Sequence, residues 1–518
     1  MKQILLAAAC IGLLLGCSES SDKSEAISES NTATEQANMT TSNTVSEPPR
    51  AQKIDHFMSI HGDERNDEYY WLRDDTRQNK AVLDYLNAEN EFTAGQLSHT
   101  AELQEQLFEE MTARLEPNVE SIPVFDNGYW YWSKYEEGKD YPISIRQKGS
   151  LEALQEVLLD ENKRAEGHEF YSLASMKIST NDQLMAIAED IISRRQYKIR
   201  IMNLDTGKFY PEVIENTSGQ IVWANDNKTL FYVRKHPTTL LPYQVYRHEL
   251  GTSQDQDQLI YEEKDTTFYT GIFKTRSDNL IGIGVSSTMS SEYRFVSADK
   301  PSDAFDVFLP READHSYSVD HIGDYFYVKS DYEALNERIW QVADDKVGTK
   351  DHWQELVGHR DDTLIQSFEL FNGYMVVNER LNGVEKLRIR NYAGELLDEV
   401  GFNDAAYDVW FSNNPDPDSR VFRYGYSSMN TPDSVYEYHV DEKVSELKKQ
   451  DKVIGDFNPD QYKSERIMVD ARDGKKIPVS IVYRKDRFKK DGTNALLNYA
   501  YGSYGSTVDP YFSISRLS

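Results

Sequence analysis

The 518-residue sequence contains only two cysteines, Cys10 and Cys17, and both lie close to the N-terminus. The body of the chain therefore has no disulfide framework and no cysteine-based zinc site. Basic residues are also scarce, since 57 lysines and arginines face 87 aspartates and glutamates and the formal net charge is −30. Nucleic-acid binding requires a basic surface, so we expect no nucleic-acid partner. A negative field favours cationic ligands such as short basic peptides, although it also serves simple solubility.

The sequence also lacks several motifs that carry chemistry. No Gly-x-Ser-x-Gly elbow is present, and residues 502–505 have neither its spacing nor the lysine of a phosphate-binding loop. Histidines and carboxylates show no metal-ligand spacing, so we expect no metal and no cofactor. His236 and His248 fall on predicted strands and are interpreted as structural. No histidine follows His439, so the last part of the chain lacks the base of a Ser-His-Asp triad.

Long apolar runs are absent except at the N-terminus. Residues 4–15 form an apolar run behind Lys2, a pattern typical of a secretory signal and too short to span a bilayer. The run ends in Leu14-Leu15-Gly16-Cys17, which resembles the lipobox of bacterial lipoproteins. We therefore expect residues 1–16 to be a signal peptide and Cys17 to carry lipid. This would anchor the protein in the bacterial cell envelope, on the periplasmic side of a membrane. The alternative is an ordinary signal peptide with a chance Gly-Cys pair.

Two segments of different amino-acid composition follow the predicted signal peptide. Residues 17–52 are rich in Ser, Thr, Glu and Asn and have few large apolar residues, so they cannot form a core and predict a disordered tether. Residues 53–120 predict a helical segment, because apolar residues recur there at helical spacing. This apolar stripe consists of Leu103, Leu107, Phe108, Met111 and Leu115.

Residues 121–450 predict a β-propeller. Helical periodicity fades, and short alternating apolar runs appear between Asn, Asp and Gly turns. A unit of roughly 40–55 residues recurs seven times, which is typical of four-stranded blades and predicts seven of them. The units begin near residues 125, 180, 224, 276, 322, 371 and 411. An array of β-sandwiches is the structural alternative.

The pattern of apolar residues changes again in residues 451–518. Two apolar strands flank Asp473-Gly474 and predict a hairpin. A further apolar run at residues 496–501 predicts a buried strand that ends in an exposed Gly-rich turn. The loop after a strand of an α/β sheet often carries chemistry, and a tyrosine hydroxyl there can stabilise charge on a substrate oxygen. The alternative interpretation is a strand and turn with core aromatics.

Several of these segments resemble one family. Residues 499–505 (Tyr-Ala-Tyr-Gly-Ser-Tyr-Gly) and 512–518 are similar to the start of the hydrolase domain in the prolyl oligopeptidase family of serine peptidases, and more narrowly in oligopeptidase B. Residues 70–74 (Tyr-Trp-Leu-Arg-Asp) resemble an N-terminal signature of the same family. The resemblance runs from about residue 53 to residue 518, and further supporting segments are residues 189–197, 232–237, 241–248, 260–265 and 424–429.

The resemblance carries expectations about fold and function. It implies a mainly β protein, with a seven-bladed propeller capping an α/β-hydrolase domain and the helical segment packed on that domain. It implies hydrolysis of short peptides after Arg or Lys through an acyl-enzyme, with Tyr501 as an oxyanion-hole hydroxyl.

The family's nucleophilic serine, aspartate and histidine, and its Arg/Lys-selecting acids, lie beyond the position of Ser518. We therefore expect an inactive N-terminal fragment with the first strands of the hydrolase domain at residues 451–518. Its status as an enzyme is uncertain. The alternative function is a non-catalytic envelope lipoprotein that uses the propeller as a peptide-binding module.

Overall fold

The computed structural model describes residues 47–518, which fall into two compact units. The first contains the described residues up to Ala113, together with Ser518, and the second contains Arg114–Leu517. The predicted signal peptide, the lipidation site Cys17 and most of the predicted tether lie outside the described residues. Within residues 47–518, no helix combines the length and the apolar character needed to cross a membrane.

The first unit confirms the predicted helical segment. A hairpin of β1 (Phe57–Ile60) and β2 (Asp63–Asn66) precedes two helices, α1 (Lys80–Leu97) and α2 (Ala101–Ala113), which a 3-10 turn joins. The Asn79 side chain accepts the Ala81 N–H at 3.0 Å and so satisfies a free donor at the start of α1. The predicted apolar stripe is only partly covered, since Leu103 and Phe108 on α2 are 54% and 43% exposed, and its last member, Leu115, lies beyond the end of α2.

The second unit is a ring of antiparallel sheets, named here sheets I to VI in chain order. Sheet I contains β3 (Val124–Asp126), β4 (Tyr129–Lys134), β5 (Ile143–Lys148) and β6 (Gln155–Asp160), and a short helix, α3 (Glu161–Ala165), follows it. Sheet II contains β7 (Ser172–Ile178), β8 (Leu184–Asp190), β9 (Tyr197–Asn203), β10 (Lys208–Trp223), β11 (Thr229–Lys235), β12 (Pro242–Glu249) and β13 (Gln258–Glu262).

The other four sheets have four strands each. Sheet III contains β14 (Tyr269–Lys274), β15 (Leu280–Ser286), β16 (Ser291–Ser297) and β17 (Asp306–Val307). Sheet IV contains β18 (Tyr317–Ile322), β19 (Tyr325–Ser330), β20 (Arg338–Ala343) and β21 (Gln354–Val357). Sheet V contains β22 (Thr363–Phe371), β23 (Tyr374–Leu381), β24 (Val384–Arg390) and β25 (Leu396–Glu399). Sheet VI contains β26 (Tyr407–Phe411), β27 (Val421–Ser428), β28 (Thr431–His439) and β29 (Val444–Gln450).

The prediction of seven separate four-stranded blades is wrong. The structure shows five four-stranded blades and one continuous seven-stranded sheet. The cause is β10, a 16-residue strand that pairs with β9 along its first part and with β11 along its second. Gly219, at φ +93°, lies where the register of β10 shifts, and a Cβ there would lie 2.6 Å from that of Ala174. The two units predicted near residues 180 and 224 therefore share a strand instead of forming separate blades.

The expected start of an α/β-hydrolase sheet is also not found in the described residues. Residues 451–518 form one antiparallel hairpin, β30 (Tyr462–Asp470) with β31 (Lys476–Arg484), followed by irregular chain and two short 3-10 turns. The predicted turn at Asp473-Gly474 joins the two strands, and Gly474 has a φ of +82°. The predicted strand at residues 496–501 is absent, because no described strand lies beside it to pair with its backbone.

The core of the ring lies between neighbouring sheets. Five of the six clusters of buried side chains in the described residues join strands of two sheets, as expected for blades that bury their faces against one another, and the sixth lies within sheet II. Between sheets V and VI the cluster includes Val376, Leu387, Ile389, Val409 and Phe422, all at most 1% exposed. This packing fixes the ends of the strands, and the polar groups described below lie at those ends.

The ring has two faces. On the lower face, the first strand of a sheet turns into the second, and side-chain or backbone N–H groups of these turns donate to a neighbouring sheet's turn. Asn127 Nδ2 donates to Thr180 O at 2.9 Å, and Asn372 N donates to Pro417 O at 2.7 Å. On the upper face lie the ends of strands β8, β11, β23 and β27. Those strand ends carry Asp190, Lys235, Arg380 and Ser427.

Candidate functional site

Tyr501, the predicted oxyanion-hole residue, lies in the irregular segment after β31. Its side chain is 54% exposed, and its hydroxyl has no hydrogen-bond partner among residues 47–518. The apolar residues beside it are also exposed, with Leu496 at 84% and Leu497 at 80%. The Tyr501 hydroxyl is therefore free to donate to a bound molecule, as an oxyanion donor must be.

The chain after Tyr501 docks on the upper face of the ring. Arg380, at the end of β23, binds both carboxylate oxygens of Asp509 at 2.6 and 3.0 Å. The Phe512 N–H donates to Ser427 Oγ at 2.9 Å, and the Phe512 ring packs against Phe457 with centroids 5.1 Å apart. These contacts tie the segment that carries Tyr501 to sheets V and VI.

Three carboxylates meet at this docking point, and they form the carboxylate cluster: Glu385, Asp408 and Asp509. Their ligand oxygens all lie within 4.8 Å of one another. Arg380 Nη2 also binds Glu385 Oε1 at 2.9 Å, so one guanidinium serves two of the three carboxylates. Gln366 Nε2 donates to the same Glu385 oxygen at 2.9 Å. The cluster therefore carries an excess of negative charge once all three groups ionise.

Burial and like charge change the chemistry of Asp408. Burial, followed by the charges of Glu385 and Asp509, raises the pKa of Asp408 to about 7. Near neutral pH the Asp408 carboxyl thus alternates between a donor to Glu385 and a bare carboxylate. A cationic group brought to the cluster would favour the ionised form. This arrangement can hold an ammonium or guanidinium group.

Replacing Asp408 with asparagine tests this electrostatic description. Because the folded-state pKa lies above the ordinary value of 3.8, the protonated group contributes stability that is complete below about pH 4 and is lost as the pH rises to about 7. Asp408→Asn mimics the protonated carboxyl, so it should raise the free energy of unfolding at pH 8 by about 1–2 kcal/mol, a value reduced for solvent screening.

Chemical denaturation at pH 5 and pH 8 measures the effect of Asp408→Asn. The difference in stability between wild type and variant should grow from pH 5 to pH 8. Asp361→Asn is the matched control, because the Asp361 side chain is fully exposed and the change should have little effect at either pH. An equal loss of stability at both pH values in Asp408→Asn would contradict the assignment.

The lower face carries a second charged network, centred on Arg276. The Arg276 N–H donates to Asp320 Oδ1 at 2.8 Å, and Arg276 Nε donates to Leu370 O at 2.8 Å. Its Nη1 donates to Asn414 O and lies 3.8 Å from Glu369 Oε1. Arg276 of sheet III therefore reaches past sheet IV to bind sheets V and VI.

Carboxylates surround this arginine. Burial, followed by the charges of Asp278, Asp182 and Asp416, raises the pKa of Asp126. These four aspartates come from sheets I, II and III and from the loop between β26 and β27. Burial also raises the pKa of Glu369 to about 7, although Arg276 and Asn414 oppose the shift. The lower face is thus strongly acidic, and Arg276 is a cation that links sheets III, V and VI on this face.

The described residues contain a row of hydrogen-bonded Ser, His and Asp side chains that was not predicted from the sequence. Ser277 Oγ lies 2.7 Å from His321 Nδ1, and His321 Nε2 lies 3.1 Å from Asp344 Oδ1. His321 is only 2% exposed, and Ser277 Oγ also accepts the Asn279 N–H at 3.3 Å. Ser277 Oγ also lies 3.0 Å from Thr275 Oγ1, so these hydrogen bonds stabilise the turn after β14.

The histidines interpreted as structural lie as follows. His248 is fully buried, and its Nδ1 lies 2.7 Å from Asp257 Oδ1. His236 Nδ1 accepts the N–H groups of Thr238 and Thr239 within its own loop. Among residues 451–518, which contain no histidine, no catalytic base of this kind is present.

The antiparallel sheets of the second unit make it a β-propeller, and the sequence comparison identifies the family of that propeller. Residues 48–451 match the family model for the N-terminal β-propeller domain of prolyl oligopeptidase. The chain belongs to the prolyl oligopeptidase family of serine peptidases. This confirms the resemblance seen in the sequence.

Named relatives agree with this family. The chain is 42% identical over 489 residues to dipeptidyl aminopeptidase BI of Pseudoxanthomonas mexicana, covering 91% of this chain and 67% of the relative. It is 28% identical over 478 residues to protease 2 of Moraxella lacunata, covering 90% of this chain and 68% of the relative. It therefore spans about two thirds of the length of both relatives.

A solved structure agrees as well. Oligopeptidase B from Leishmania major superimposes with a TM-score of 0.85 at 27% identity, covering 91% of this chain and 70% of that chain. The proteins named here carry the names of peptidases, so they lend no support to the alternative of a non-catalytic binding lipoprotein.

Proposed function

We propose that the catalytically active protein hydrolyses short peptides after Arg or Lys, and that residues 1–518 alone do not, because they offer no histidine base after His439. The carboxylate cluster carries this proposal, because it places excess negative charge where the segment bearing Tyr501 docks on the propeller. Membership of the family and the likeness to oligopeptidase B support the reaction class. In this proposal Tyr501 donates to the oxygen that gains charge in the transition state, and the upper face of the ring attracts cationic side chains of the peptide.

Fluorogenic peptides that differ only at the residue before the cleaved bond test the specificity of the catalytically active protein. We expect kcat/KM for Arg and Lys peptides to exceed that of Gln and Leu peptides by roughly 10–100-fold, the effect of a charge-assisted hydrogen bond. A serine-directed inhibitor should abolish the turnover. Equal cleavage of all four peptides, or no effect of the inhibitor, would contradict the proposal.

A second candidate is removal of dipeptides from the N-terminus of a peptide. It is favoured by the 42% identical relative, which is named a dipeptidyl aminopeptidase. The same Arg peptides with free and acetylated N-termini separate the two candidates. An endopeptidase cleaves both, whereas an aminopeptidase of this kind requires the free amine and releases dipeptides in sequence.

We also propose that Cys17 carries lipid and anchors the protein to a membrane. The lipobox-like Leu14-Leu15-Gly16-Cys17 behind an apolar run supports it. Two or more acyl chains would give stable anchoring, whereas one would not. Cys17→Ala should move the protein from the membrane to the soluble fraction, while Cys10→Ala should leave it in place. Membrane fractionation of Cys17→Ala that equals wild type would contradict the proposal.

A further inference from the structure

Two loops on the upper face of sheet II form a compact polar structure. Residues 191–196 join β8 to β9, and residues 236–241 join β11 to β12. Asp190 fixes the first loop, because its carboxylate accepts the N–H groups of Ile192 at 2.8 Å and Arg195 at 2.6 Å. Ser193 and Arg195 adopt positive φ angles of 64° and 52°, so the loop follows one sharply turned path.

Four cations gather at these loops without an acidic partner. Arg194, Arg195, Arg234 and Lys235 have no carboxylate within 4.0 Å anywhere in residues 47–518, although the protein holds 87 acidic and 57 basic residues. The Nε groups of Arg194 and Arg234 are buried and have no hydrogen-bond partner in the described part of the chain. Buried donors of this kind are costly unless something satisfies them. These donors point to an anionic ligand.

The cations are held in place by their neighbours. The Arg234 guanidinium lies over the Tyr246 ring, 4.6 Å from its centroid. Lys235 Nζ donates to the backbone oxygen of Arg195 at 2.6 Å, which holds the Lys235 side chain against the loop of residues 191–196. Burial, and then the charge of Arg195, lower the pKa of Lys235, and the charge of Asp190 opposes them without cancelling the shift. An anion beside Lys235 would reverse that effect and would replace the solvent lost by burial.

A cavity of about 270 Å³ opens between the loops. Its walls include Gln196, Asn216, Arg234, Lys235, Tyr243 and Gln244. Three nearby carboxylates have other partners: Asp190 accepts N–H groups of its own loop, Glu262 Oε1 accepts the Gln244 amide at 2.9 Å, and Glu215 pairs with Lys198 at 2.9 Å. The cavity is named here the cationic pocket. Arg234 and Lys235 are the two cations in its wall, and Arg194 and Arg195 lie in the adjoining loop, so it offers positive charge and neutral donors to a small group.

We propose that the cationic pocket binds an oxyanion, either the C-terminal carboxylate of a short peptide or a free inorganic anion. The peptide source rests on the proposed function, whereas the anion site does not. The pocket and the carboxylate cluster lie on the same face of the ring, at the ends of β11 and β23. That face thus offers separate sites for the positive side chains and the negative end of a short basic peptide, and recognition of a chain end favours short substrates.

Binding is tested without turnover, by fluorescence anisotropy of an N-terminally labelled basic peptide made of D-residues to prevent cleavage. The peptide is prepared with a free C-terminal carboxylate and as the amide. Amidation should weaken binding to the wild type by about tenfold or more. Arg234→Gln and Lys235→Gln should abolish this difference, whereas Lys235→Arg should preserve it. Lys198→Gln is the matched control, because Lys198 already pairs with Glu215 at 2.9 Å.

Inorganic phosphate separates the two sources. If phosphate displaces the free-acid peptide and amidation weakens binding, the pocket takes the peptide carboxylate. If phosphate binds by calorimetry, is lost in Arg234→Gln, and amidation has no effect, the pocket takes a free anion. If neither phosphate nor the carboxylate binds through Arg234 and Lys235, the proposal is wrong. Phosphate binding in a preparation that cleaves no peptide would sustain the anion site while the proposed function fails.

Discussion

Replacing Arg276 with alanine should lower the free energy of unfolding of the ring by about 3–5 kcal/mol. The Arg276 guanidinium is 13% exposed and lies 3.8 Å from Glu369, which is 18% exposed. Its removal leaves the Leu370 and Asn414 carbonyls without a donor and leaves Glu369 without its nearest positive charge. The acidic lower face would then lose the cation that links sheet III to sheets V and VI, and the repulsion between its carboxylates would be less compensated.

Thermal and denaturant unfolding measure the effect of Arg276→Ala. Arg420→Ala is the control, since Arg420 pairs with Asp441 at the surface and also lies over an aromatic ring, that of Tyr374. An exposed pair of this kind contributes at most about 1 kcal/mol. Arg276→Ala should also be more stable at pH 5 than at pH 8, because protonation of Glu369 removes its unpaired charge. Equal losses of unfolding free energy in Arg276→Ala and Arg420→Ala would show that the lower-face network stabilises the protein no more than an exposed ion pair does.

The sequence predicts the strands of this fold better than it predicts the boundaries between the blades. Alternating apolar runs and Asn-Gly turns mark the strands because a half-buried strand needs that alternation. The length of β10 is not predictable in the same way. Its two halves look like strands of separate units, and only the bend at Gly219 lets one strand serve both. The number of blades therefore depends on a local backbone geometry that periodicity does not report.

The strand expected at residues 496–501 fails for a related reason. Its residues suit a buried strand, yet a strand exists only where a neighbour pairs with its backbone. The described residues offer no neighbour, and Leu496 and Leu497 remain exposed. Intrinsic preference is thus a condition for the strand and does not suffice to form it.

The charged sites were not predictable from local patterns. The carboxylate cluster joins Glu385, Asp408 and Asp509, which lie far apart along the chain and meet only where the last segment docks. The cationic pocket has a partial signal in the Arg194-Arg195 and Arg234-Lys235 pairs. What the sequence does not show is that the loops bring these pairs together and leave them without carboxylate partners.

Replacing Tyr501 with phenylalanine should lower kcat by about 10²–10³-fold in the catalytically active protein, which is the cost of losing one oxyanion donor. The change removes a single hydroxyl that has no partner among residues 47–518, so it should leave the free energy of unfolding almost unchanged. KM should change little, because in the proposed role the hydroxyl would bind charge that develops only in the transition state.

Steady-state kinetics with the best Arg peptide measure both constants. Tyr504→Phe is the matched control, because Tyr504 lies three residues away and is 91% exposed, so its kcat should stay within about twofold of wild type. An unchanged kcat in Tyr501→Phe would remove this tyrosine from the oxyanion site. A rise in KM without a fall in kcat would assign its hydroxyl to ground-state binding, since an interaction made equally in both states lowers affinity alone when it is lost.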